Sequence, residues 1–428
     1  MEILHDMAAF WKRQKANFKV LITRDSLRMF SGRKIVGRTR AVVGYESIFL
    51  SRLGANSIQI GIVSGAMSLL NVLFAVPAGT IIDRVKNIKN LYLMSFAFGL
   101  PNLLLLALAP NWLAFLLIML GQTFVLTIQM PTKTIIDIDA ISDEDRVTGL
   151  SIHRMITAIA GVGSPLLLAY IINYYGGLGS ANAIRPIFLL QFVSEIIIFI
   201  ILYTKLENVF IEKKVGRESL VEGLKLILAG PVPLKLILVR DVATMFVMGM
   251  SNPFRGIYQV DVKMASVFIF GWIGVAEPAI DILLSIPAGK LIEKYGRRKV
   301  GYAGHIVGII ARLLLVLTPR SLPELLIIMT ALGSLEGCLY LGFDAYGQEI
   351  IPQDIRGKWM GVLAVITGVI GVVAPVIGGY IWKINPDYLF WLNVIQWTFV
   401  AFPIMIILIE KYSIDGRNQT SALENNKR

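Results

Sequence analysis

Residues 61–89 read GIVSGAMSLLNVLFAVPAGTIIDRVKNIK, and residues 271–299 read GWIGVAEPAIDILLSIPAGKLIEKYGRRK. Shifting one onto the other by 271 − 61 = 210 positions places Gly61 on Gly271, Pro77-Ala78-Gly79 on Pro287-Ala288-Gly289, Asp83-Arg84 on Glu293-Lys294 and Lys89 on Lys299. Without a gap, the same shift places Arg146 on Arg356, Thr157 on Thr367, Gly161 on Gly371, Pro165 on Pro375 and Tyr170 on Tyr380. Self-similarity at one fixed period, carried through apolar runs, marks a chain built from two parallel repeats inside a bilayer.

Composition agrees with a bilayer. The 428 residues are 55% hydrophobic and 16% charged, with a mean hydropathy of +0.68, outside the range of soluble domains. A membrane-crossing helix needs roughly 20 apolar residues. Stretches of that kind are expected at 28–52, 57–82, 90–109, 112–134, 148–174, 185–204, 237–261, 266–290, 300–318, 322–345, 358–382 and 388–410. The expected fold is therefore an all-α membrane protein with twelve transmembrane helices in two six-helix repeats. Its expected divisions are an N-terminal arm at 1–25, bundles at 26–204 and 237–410, a connector at 205–236 and a tail at 411–428.

The net charge of +12 follows topology rather than nucleic-acid binding. Bases gather in the arm (Lys12, Arg13, Lys15), the 2–3 loop (Arg84, Lys86, Lys89), the connector (Lys213, Lys214, Arg217) and the 8–9 loop (Arg297, Arg298, Lys299). The loops between them hold few. By the positive-inside rule both termini and the connector are expected in the cytoplasm of a cell with this protein in its plasma membrane. The N-terminus lacks the apolar core and small-residue cleavage site of a signal peptide. Cys338 is the single cysteine and the three histidines are scattered, so no disulfide, metal or cofactor is expected.

The turn Gly79-x-x-x-Asp83-Arg84-x-Lys86-x-x-Lys89 and its copy Gly289-x-x-x-Glu293-Lys294-x-Gly296-Arg297-Arg298-Lys299 resemble the signature loop of the major facilitator superfamily. The second copy matches with Glu in place of Asp. The first has Lys86 at the inner glycine, and Asn87 and Ile88 where bases are usual. Gly371-Val-Val-Ala-Pro375-Val-Ile-Gly378-Gly379 is similar to the superfamily's Gly-Pro-Gly-Gly element. The resemblance implies a secondary transporter without enzymatic activity, cycling between inward- and outward-open states. It implies gating roles for Gly79, Asp83, Arg84, Lys89, Gly289, Glu293, Lys294, Gly296 and Arg297, with Arg146 and Arg356 as partners. Helices 1, 4, 7 and 10 are expected to line the path, which makes Gln122, Gln129, Asn252, Arg255 and Glu336 candidates for solute contact.

Ionisable groups at membrane depth are costly and are functional candidates by default. Glu277 and Asp281 lie four apart on one helix, and Glu336 near the middle of another. Adjacent carboxylates resist double ionisation, so this set is the candidate proton-coupling site. The alternative is pairing of each acid with Arg255 or Arg312. Glu195 also falls at mid-depth, on a helix expected to face lipid more. The first span is unusual, since Arg33, Lys34, Arg38 and Arg40 interrupt it. They line a solute path in one reading. In the other, simpler because they do not share a narrow helical face, they form an interfacial insertion. The function expected is proton-coupled movement of a small organic solute by a monomer, with multidrug efflux, a receptor without flux and a membrane enzyme as alternatives.

Overall fold

The computed structural model describes residues 13–33, 44–142, 145–210, 230–351 and 356–412. These form α1 (Ala16–Phe30), α2 (Tyr45–Arg52), α3 (Ser57–Arg84), α4 (Ile88–Leu108), α5 (Trp112–Asp139), α6 (Arg146–Gly161), α7 (Ser164–Tyr174) and α8 (Ala181–Lys205). After the connector come α9 (Val232–Ser251), α10 (Val267–Tyr295), α11 (Arg297–Leu317), α12 (Leu325–Ile350), α13 (Arg356–Ile384), α14 (Pro386–Gln396) and α15 (Phe402–Tyr412). Among the described residues nine helical segments are long and apolar enough to cross a membrane. In lipid the backbone must satisfy its own polar groups, which leaves helices as the only outcome for such runs.

Local sequence sets where these helices start. Asn56 and Gln59 form a reciprocal capping box at the head of α3, and the side chains of Asn87, Asn111, Ser180 and Ser266 cap α4, α5, α8 and α10. Each hydroxyl or amide oxygen takes up an N–H that has no partner within its helix. At Gly296 the backbone turns at φ 84°, so α10 ends and α11 begins in one step.

The first span departs from expectation. Its helix begins at Ala16, inside what read as an arm, and stops at Phe30 rather than running through 28–52. Arg13 and Lys15, which made this segment read as solvated, pair with Asp145 and Asp139 at the end of the bundle. The hydrogen bond and charge of Arg13 hold the Asp145 carboxyl below its ordinary range. The stop is made by Gly32 at φ 74°, which lets Arg33 N–H reach Arg28 C=O and Gly32 N–H reach Met29 C=O, both at 3.0 Å. A Cβ at Gly32 would also meet Leu168 Cδ1 at 2.2 Å. Lys34, Arg38 and Arg40, the connector from 211 to 229 and the tail from 413 lie outside the described residues.

Packing pairs recur in matching sets: α4 on α5 and α11 on α12, α3 on α5 and α10 on α12, α1 on α6 and α9 on α13. Two further contacts cross between the sets, α3 on α13 and α10 on α7. Both depend on glycine. A Cβ on Gly61 would stand 2.3 Å from Pro375 O, and one on Gly271 3.2 Å from Pro165 O. These four residues are the ones the 210-residue shift pairs, and they meet in space as two crossed Gly–Pro contacts. Gly65, Gly371 and Gly379 continue the first seam against Val372 O, Ser68 and Ser57 O. Lipid supplies no hydrophobic drive between helices, and close backbone approach over small residues takes its place.

Both seams occupy one end of the molecule. The α3–α13 contact has its last glycine at Gly368 against Val72. Beyond it Leu73 and Val76 are exposed, as are Leu283 and Ile286 on α10. A bulky residue at Gly61 should therefore separate the seam without unfolding either helix. With Cys338 replaced by alanine, cysteines introduced at Ser68 and Val372 should crosslink through a short thiol reagent, and Gly61→Val should sharply lower the yield. Undiminished crosslinking would mean that the close approach at Gly61 does not hold this end together.

Candidate functional site

The end with the seams is also tied by charge. Arg52, last residue of α2, donates from Nη1 to Asp261 Oδ2 at 3.0 Å and from Nη2 to Asp261 Oδ1 at 2.5 Å, and from Nε to Leu178 C=O at 2.7 Å. Asp261 lies in the π turn Tyr258–Val262 that follows α9. Within the same turn Tyr258 donates its hydroxyl to Asp387 at 2.6 Å, at the head of α14. One guanidinium thus joins residues 209 positions apart.

At the opposite end lie the signature loops, and they are undone. Asp83, Arg84, Glu293 and Lys294 are all exposed, and no ion pair among the described residues engages Asp83 or Glu293. Arg356 is exposed too, with contacts of its own. A Cβ on Gly79 or Gly289 would meet nothing within 4 Å, so neither glycine makes the close helix approach expected of it in this conformation. Only Gly296 has a local necessity, its positive φ. Lys89 is half-buried, where the backbone runs antiparallel to the start of the connector: Asn87 bridges Phe210, and Ile88 N–H donates to Val209 C=O at 2.9 Å.

Between the two ends lies a set of buried charges in the first half. Arg28 grips Glu195 as a fork, Nε to Oε1 at 2.6 Å and Nη2 to Oε2 at 2.7 Å, and Arg33 Nη1 reaches Oε1 at 3.0 Å. Glu195 is 1% exposed. It lies 205 − 195 = 10 residues, about 15 Å along the helix, from the end of α8, and so at mid-depth. A small chamber opens beside the pair, walled by Arg28, Arg33, Phe96, Gln122, Gln129 and Glu195. One turn before Arg28 along α1, Asp25 is fully buried within 2.8 Å of Arg24, 3.4 Å of Lys133 and 3.1 Å of His153, and Lys133 also bonds Asp137. Arg24 and Arg28 lie over the rings of Tyr92 and Phe96.

In the second half Arg312 holds Glu336 at 2.9 Å and lies 3.9 Å from the centre of the Trp397 ring. Gly308 leaves room for this pair, since its Cβ would stand 2.5 Å from Glu336 Cδ. Glu277 is buried and interacts electrostatically with Arg255. Asp281, one turn on, is exposed and stands 3.7 Å from Cys338 Sγ. The two acids share a helix yet face different surroundings. Arg255 Nη2 approaches Met329 Sδ at 3.8 Å, and Asn252 is exposed.

Of the expected path residues, the structure gathers Gln122, Gln129 and Arg33 into one chamber, and Asn252 and Arg255 are not part of its wall. Lys34 and Arg38 are outside the described residues, as is the side chain of Arg146. Sequence reasoning put Glu195 at mid-depth but assigned it no partner or role, on a helix expected to face lipid more, and read Arg24 and Asp25 as part of an arm. A usable signal existed. An isolated buried acid needs a cation, and Arg28 is the base of α1 furthest from the start of that helix. Leaving either one unpaired would cost about 3–5 kcal/mol.

Comparison with known proteins gives this geometry its family. An uncharacterized MFS-type transporter of Methanocaldococcus jannaschii is 27% identical over 356 residues, covering 80% of this chain and 84% of the relative. A solved nucleoside transporter superposes with a TM-score of 0.70 at 13% identity, covering 92% of this chain and all of that one. A bacterial homologue of the iron transporter ferroportin, in an inward-facing state, gives 0.66 at 13%, with 92% and 99% covered. At such identities the likeness shows the fold alone. The family model for the Major Facilitator Superfamily matches residues 38–262 and 242–423, most of the sequence. The chain belongs to that superfamily, whose members carry small solutes across membranes by alternating access.

Proposed function

We propose that the chain is a proton-coupled secondary transporter of a small organic solute, working as a single copy with twelve spans in two halves, Ala16–Lys205 and Val232–Tyr412. The observation that carries this reading is the unequal state of its two ends. Glycine seams and the Arg52–Asp261 pair join the halves at one end, while Asp83 and Glu293 stand exposed at the other. An alternating-access cycle needs two such closures that exclude each other. The basic loops lie with the open end, so the positive-inside rule makes this an inward-open state, with both termini and the connector in the cytoplasm.

Coupling is assigned to α10. Glu277 is buried beside Arg255 and Asp281 is exposed one turn away, so a proton entering at Asp281 has a second acid within reach. Glu336, gripped by Arg312, serves the same site through its charge. The chain's own chemistry in this cycle consists of holding a proton and exchanging ion-pair partners. It forms no covalent bond.

Three outcomes test this. Reporter fusions after Glu410 and near Lys213 should both read cytoplasmic, and an external signal from either would refute the topology. Asp83→Asn and Glu293→Gln should leave insertion intact, lower flux and raise accessibility at the Arg84 end. Unchanged labelling together with normal flux would reduce the loops to topology signals. In proteoliposomes Asp281→Asn and Glu277→Gln should abolish accumulation driven by a pH gradient while at least one keeps passive exchange, and Glu336→Gln should weaken accumulation. If all three still concentrate solute with parental pH dependence, coupling lies elsewhere.

A further inference from the structure

The chamber beside Arg28 and Glu195 lies within the first half, among α1, α4, α5 and α8, and away from the acids of α10. Its wall is over-supplied with donors. Two guanidiniums carry ten N–H bonds between them, and Glu195 receives three of the contacts they make. Gln129 is 4% exposed, and its amide makes no hydrogen bond among the described residues. Gln122 accepts from Asn102 through Oε1 at 3.2 Å, which leaves its two N–H groups over. The amide atoms of Gln129 are not sealed away but line the chamber, so they are left to bond whatever fills it.

Charge selects the kind of occupant. Within the wall, Arg28 and Arg33 face the single carboxylate of Glu195. The neighbouring set is balanced, with Arg24 and Lys133 against Asp25 and Asp137. Glu46 also attracts Arg33, but it is not part of the wall. A cation is repelled, and a water leaves the surplus charge in place. Gly32 builds this surplus. On a continued helix Arg33 would project about 140° round from Arg28, whereas the positive φ at Gly32 returns it to the same carboxylate.

We infer that this chamber is a binding site for one small monovalent anion, held by Arg33 and the amides of Gln122 and Gln129 while Arg28 stays on Glu195. Its free space is about that of a water molecule, so the occupant is no larger than a halide or the carboxylate tip of a solute, and even these enter only as the side chains of Gln122 and Gln129 give way. This site stands independently of any transported solute, because binding to it is measured without flux.

The test uses the purified full chain in detergent, with sodium methanesulfonate replaced stepwise by sodium chloride or sodium formate at constant ionic strength. The melting temperature should rise saturably with at least one of the two. A response to chloride alone assigns an inorganic anion, and a response to formate alone assigns a carboxylate. Arg33→Gln should weaken the response roughly tenfold or more, since a hydrogen bond from a charged donor is lost. Gln129→Glu places a carboxylate in the chamber, and should melt above the parent in methanesulfonate and lose the anion response even if Arg33→Gln fails to fold. Equal melting in all three salts, or an undiminished response in Gln129→Glu, overturns the site.

Discussion

Backbone contact at Gly61 against Pro375, and at Gly271 against Pro165, brings the two sets of helices together, and the remaining architecture is arranged around it. In lipid such a contact gains dispersion and carries little side-chain entropy cost. Its energy ends where the small residues end, so Leu73, Val76, Leu283 and Ile286 are left exposed. A seam of this kind separates along its length without unfolding a helix. That property distinguishes it from a core of interlocked large side chains, whose opening would leave voids.

Inside each set the binding is of another sort. Arg28 with Glu195, Arg24 with Asp25 and Arg312 with Glu336 put full charges at depths where an unpaired ion is expensive. Such pairs add little net stability, but they penalise any arrangement in which the partners part. They keep α1 on α8 and α11 on α12 as units. Movement is thereby channelled to the seams, where the ion pair that must part, Arg52 with Asp261, is partly exposed rather than at depth.

Four positions aligned by the 210-residue shift, Gly61, Pro165, Gly271 and Pro375, are touching residues in the structure, and glycine and proline carry such signals because their roles are fixed by backbone geometry. The chamber was not legible in the sequence. Hydropathy averages over a window, so α1, with Lys19, Arg24, Asp25 and Arg28 in fifteen residues, read as solvated although Asp25 and Arg28 find partners far along the chain, Lys133 on α5, His153 on α6 and Glu195 on α8. Gly79 and Gly289 matched a motif without making its contact here, since a motif records the whole cycle and a single conformation displays one part. Gln122 and Gln129 were found by helix position, but their convergence with Arg33 required the turn at Gly32.

That turn also divides the first span mechanically. The counterpart segment runs from Val232 through a 3-10 turn, a short α turn and a π turn to Val262 without a positive φ, so torque applied at one end reaches the other. In the first span the rod finishes at Phe30, and a second rod begins at Tyr45. The two halves, similar in sequence, thus differ as levers. One runs unbroken by any positive φ, and the other changes direction at Gly32.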